Sequence, residues 1–98
     1  MKEFTETLDT AVFTTKFVVE QKHLITKVYH DIDDGAWQFF SNDNYESFEK
    51  VAMVISLGEI IEIDSTILEL ADMPEGYLAE RVSINSPWLI KEKKEISE

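Results

Sequence analysis

Polar breaks divide this chain into short apolar runs, none approaching the ~18 residues that a membrane span requires. That punctuation limits it to short strands and short helices. From Ala11 to Glu20 the residues alternate as a strand, with Ala11, Phe13, Phe17 and Val19 on one face. Leu24 to His30, rich in β-branched and aromatic residues, reads as its hairpin partner. Asp31-Ile32-Asp33-Asp34-Gly35 is a turn whose Asp-Gly pair suits positive φ. Ala36 to Phe40 follows as a third strand with Trp37 and Phe39 on one face, so the first three runs are expected to form a meander. Tyr45 and Phe48 suit one helical turn resting on the core. Val51–Ile55 is apolar throughout and reads as a strand covered on both faces.

Ser56-Leu57-Gly58-Glu59 matches a capping box, a hydroxyl at the N-cap with a carboxylate three residues on. It opens a helix with Leu57, Ile60 and Ile61 on one face. Asp64 or Ser65 caps a second short helix that Met73-Pro74 ends. After a turn at Glu75-Gly76, Tyr77 to Val82 reads as a strand; Ser86-Pro87 then interrupts, placing Trp88 to Lys91 at a sheet edge. The expected fold is α+β, a mostly antiparallel sheet of five or six strands with two short helices packed on it. Residues 1–10 are expected to be a flexible segment, 11–91 a single domain and 92–98 a charged tail.

Charge narrows the function. Between Asp31 and Glu80 stand 13 acidic residues and one base, Lys50, within a chain of formal charge −11. Hydrophobic residues run through the same stretch, so it belongs to a folded domain rather than to a solvating tail. A field of this sign disfavours nucleic acid and anionic membranes; it either keeps a solvated surface soluble by self-repulsion or forms an acidic face that meets a basic partner. The N-terminal MKEFTETLDT lacks the apolar core of a secretory signal, which makes the cytoplasm the expected compartment.

Groups with chemistry are few. With no cysteine there is neither a disulfide nor a thiolate metal site. His30, Asp31, Asp33 and Asp34 form the densest set of potential metal ligands, but Gly35 and Asn42 do not fit a calcium loop, and no metal or other cofactor is expected. Three scattered glycines build no phosphate loop, and neither His23 nor His30 has a serine in a nucleophile context, so no catalytic residue is assigned. Arg81, the only arginine, offers a fixed fork for a carboxylate of a ligand or of the chain's own acidic stretch. Trp37, if exposed beside the Asp31–Asp34 turn, would anchor a protein interface.

The stretches HDIDDGAWQFF, VISLGEIIEIDSTILELADMPEGYLAER and SPW resemble a family of short bacterial proteins of unknown function. Its members carry an acidic-Gly-x-Trp-x-Phe element, a capped helix start and a Leu-Pro-x-Gly turn. Those fall here at Asp33 to Phe39, Ser56 to Ile60 and Met73 to Arg81, with Met73 in place of leucine. Related small domains are grouped with immunity proteins of bacterial toxin systems, which implies a protein that binds and blocks another protein. The resemblance assigns no functional residue. The leading expectation is a non-enzymatic domain that binds a basic partner through Asp31, Asp33, Asp34, Glu59 and Glu62, with Trp37 as anchor. The alternatives are a homodimer paired through an edge strand, and a small-molecule or enzyme site between sheet and helices.

Overall fold

A computed structural model describes residues 2–93. Six strands form one sheet in the order β4-β1-β3-β2-β5-β6. They are β1 (Ala11–Thr15), β2 (Lys27–His30), β3 (Trp37–Phe40), β4 (Ala52–Ser56), β5 (Tyr77–Glu80) and β6 (Leu89–Glu92). Neighbours run antiparallel except β1 and β3, which are parallel with Phe13 beside Gln38. Single helical turns α1 (Lys16–Val19) and α2 (Phe48–Val51) precede α3 (Leu57–Ile63) and a 3-10 helix over Ser65–Leu70. The α+β class and the mostly antiparallel sheet follow the sequence. No helix of the described residues is long and apolar enough to cross a membrane.

One face of the sheet is the floor of the core. Val12, Val28, Trp37, Phe39 and Ala79 point to it and meet Leu57 and Ile60 of α3 and Ile67 and Leu70 of the 3-10 helix. Strand alternation sends Phe13, Lys27, Tyr29, Gln38 and Phe40 to the outer face.

Three expectations are corrected. The first run is not one strand: it turns helical at Lys16, and Val12 and Thr14 face inward instead of Ala11 and Phe13. Thr14 can be buried because its hydroxyl donates to the Phe39 carbonyl at 2.8 Å, so a polar residue occupies a core position. The meander is replaced by a crossover. β3 lies between β1 and β2, and of these three strands only β2 and β3 form a hairpin. Val51–Ile55 is not covered on both sides, since β4 is an edge strand and Val54 is 58% exposed.

The N-terminal segment, expected to be flexible, docks on the core. Phe4 packs edge-on against Trp37 with ring centroids 5.0 Å apart. The Leu57 and Gly58 amides donate to the Thr10 and Leu8 carbonyls, each at 2.8 Å. Those are the first two amides of α3, which no helix can satisfy internally. The third, Glu59, donates to the Ser56 hydroxyl, and the Glu59 carboxylate accepts from the Ser56 amide. The capping box and the N-terminal segment therefore complete one helix start together. At the other end, Glu92 closes β6 and the Lys93 amide donates to the Gly76 carbonyl, so the expected tail begins as paired strand; 94–98 lie outside the described residues.

Candidate functional site

Most residues expected to contact a partner have structural work within the chain. In the turn joining β2 to β3, the Asp31 carboxylate accepts from the Asp33 amide and the Asp34 carboxylate from the Ala36 amide. Gly35 sits at φ +72°, the left-handed region that glycine enters without the strain a side chain would meet. Glu59 caps α3, whereas Glu62 is exposed on the same helix.

Trp37 is not an anchor. It is 1% exposed, stacked on His30 at 3.8 Å between centroids, and its indole N–H donates to Glu6 at 3.0 Å. An indole enclosed by its own chain with its single donor satisfied presents nothing to a partner. His30 donates through Nδ1 to the Met73 carbonyl at 2.7 Å, and its Nε2 lies 3.9 Å from the Glu6 carboxylate. Among the described residues, no group of three His, Asp or Glu side chains is placed to hold a metal ion.

Arg81 pairs internally. Its guanidinium donates to Asp64 at 2.6 Å and to the Thr66 hydroxyl at 2.9 Å, its Nε–H donates to the Ile25 carbonyl at 3.0 Å, and Trp88 lies 4.2 Å above it. The side chain is buried, so it ties β5 to the residue that caps the 3-10 helix.

The expected acidic surface is divided. Asp31 and Asp33 line a small hollow of about 110 Å³ together with Lys93. Glu59 and Glu62 line another of about 610 Å³ that also holds Lys22 and His23. No residue lines both. Asp31 and Asp33 therefore do not share a hollow with Glu59 and Glu62.

The edge expected for Trp88 to Lys91 is there as β6, the last strand of the sheet, and it is the surface that the charge pattern did not point to. The Lys93–Gly76 bond fixes the ladder phase: Leu89 and Lys91 bond to β5, so the backbone groups of Ile90 and Glu92 point away from the sheet. Along this edge Leu89 is 66% exposed and Ile90 is exposed too, and Leu89 shares a hollow with Val82 of the β5–β6 connection, itself 88% exposed. Pro87 beside an apolar final run was the sequence signal for an edge, but not for its being apolar.

No protein-family model matches the chain, and no curated protein or solved structure matches it significantly.

Proposed function

We propose that this protein is a non-enzymatic binding domain that captures a basic protein by adding an extended segment of it to β6. The observation that carries this reading is the β6 edge, unpaired among the described residues, with outward Ile90 and Glu92 backbone groups beside exposed Leu89 and Val82. Unpaired strand groups form a template for main-chain hydrogen bonds, and the apolar side chains supply area to bury. The opposite edge suits this less well: β4 runs directly between α2 and α3, and α1 packs against it. Beyond contact distance, a formal charge of −11 steers a cationic partner toward the molecule. A domain that blocks a basic toxin, as an immunity protein does, is one form of this activity.

Ile90→Pro tests the proposal. It removes an outward N–H and leaves the β5–β6 bonds intact, and proline is tolerated on a free edge. The expected result is a basic protein captured by the wild type and lost with the variant, while the circular dichroism of the two is unchanged. Equal capture by both would overturn the reading. A second copy of this chain could use the same edge; light scattering that showed a dimer broken by Ile90→Pro would make the partner the protein itself.

A further inference from the structure

We propose that Glu6 and His30 form a pH-dependent latch, which holds the N-terminal segment on the core more tightly when the His30 ring is protonated. Its parts lie on the inner face of the sheet, where His30 and Trp37 are neighbours across β2 and β3. Glu6 reaches them from the segment that also supplies Phe4 to the core.

The proton positions follow from the partners. The Met73 carbonyl can only accept, so the Nδ1 that lies 2.7 Å from it carries a hydrogen. In the neutral ring Nε2 is therefore a bare acceptor. It is enclosed, has no hydrogen-bond partner, and lies 3.9 Å from a Glu6 oxygen, which is an acceptor too. That same oxygen accepts from the Trp37 indole at 3.0 Å, which keeps it beside the ring. Two acceptors side by side gain nothing from each other. One proton on Nε2 places a donor and a positive charge opposite the carboxylate. The Trp37 indole, stacked on the ring at 3.8 Å, adds an aromatic face for the cation.

Other charged groups around the ring are engaged elsewhere. Asp31, next in the chain, accepts from the Asp33 amide, and Asp34 accepts from the Ala36 amide. Asp72, beside Met73, pairs with Lys2, and the Glu75 carboxylate lies against Gly35. Tyr77 of β5 and Glu92 of β6 continue the rung of the ladder on which His30 stands. Among the described residues, Glu6 is the only carboxylate within ion-pair distance of His30. Linkage then sets the direction: what the Glu6 charge adds to the protonated ring, the protonated ring adds to docking of the segment. Enclosure of the ring weighs against its charge, and the carboxylate offsets that penalty. The segment also carries Leu8 and Thr10, whose carbonyls accept from the Gly58 and Leu57 amides, so its opening is read at the start of α3.

Hydrogen exchange of the Leu57 and Gly58 amides in the full chain from pH 8 to pH 5.5, corrected for the intrinsic rate, tests the latch. Histidines are the side chains that ordinarily change charge in this range. The expected result is protection that rises about fivefold as the pH falls. The Trp37 indole N–H resonance should move over the same range, because the ring stacked on it gains a charge. Glu6→Gln keeps an oxygen for the indole and removes the carboxylate's charge, so the segment should stay docked while the rise disappears. His23, held by Asp43, is the control, and His23→Gln should leave the rise in place. Protection that stays flat or falls in the wild type, an unmoved Trp37 resonance, or an equal rise in Glu6→Gln would each overturn the proposal.

Discussion

Arg81 and Asp64 are buried as a pair, and removing either partner leaves the other an uncompensated charge. Arg81→Met should therefore lose about 3–5 kcal/mol in urea unfolding, a large part of the stability of a domain this size. Adding Asp64→Asn to that variant should recover part of the loss, because the orphaned charge goes while an oxygen to cap the Thr66 amide stays. Recovery of nothing would mean that the Thr66 and Ile25 bonds, not the charge, dominate. Asp43 makes a second residue-scale case. The Ser41 hydroxyl and the His23 ring hold its carboxyl below the ordinary carboxylate value. A carboxyl that is more acidic in the folded state stabilises the fold above its unfolded value, near about 4. That contribution disappears as pH falls through the lowered folded value. Urea midpoints taken from pH 5 to pH 2 should accordingly fall less steeply for Asp43→Asn than for the wild type.

Elements here are short and lean on one another, and α3 shows it best. Its first three amides are satisfied by Thr10, Leu8 and Ser56, so the helix start depends on chain nearly fifty residues upstream. Deleting residues 2–10 should cost at least about 2 kcal/mol, from Phe4 burial and two hydrogen bonds. It should also raise amide exchange at Leu57 and Gly58. Ser56→Ala should cost about 1 kcal/mol, the usual loss of an N-cap. The capping box was legible in sequence because its signal is local. So were the Asp-Gly turn, the β2–β3 hairpin and the late edge strand. The parallel β1–β3 pairing was not legible, since alternation states which face a residue takes and not which strand lies beside it. Thr14 disguised the inward face of β1, as its burial rests on a carbonyl 25 residues away. The partner surface was read least well. Counting carboxylates along the chain does not show that Asp31 and Asp34 bind their own turn, that Glu59 caps a helix, or that Trp37 is enclosed by Phe4 and Glu6.

Across the whole molecule, charge and shape act at different ranges. The net negative field reaches a partner before contact, whereas β6 acts only when a strand lies against it. Association with a basic partner should slow several-fold from about 50 to 200 mM salt, while dissociation changes little, as steering predicts. The same field opposes self-pairing of two copies across β6, so the free protein should run as a monomer in light scattering at micromolar concentration. Amide hydrogen exchange along β6, measured in the free protein and in its complex with the captured partner, tests the central claim most directly. The account predicts that the Ile90 and Glu92 amides exchange freely alone and become protected in the complex, while Lys91, already bonded to β5, changes little. Protection that instead appeared in the 31–36 turn or along α3, with Ile90 and Glu92 unchanged, would contradict it.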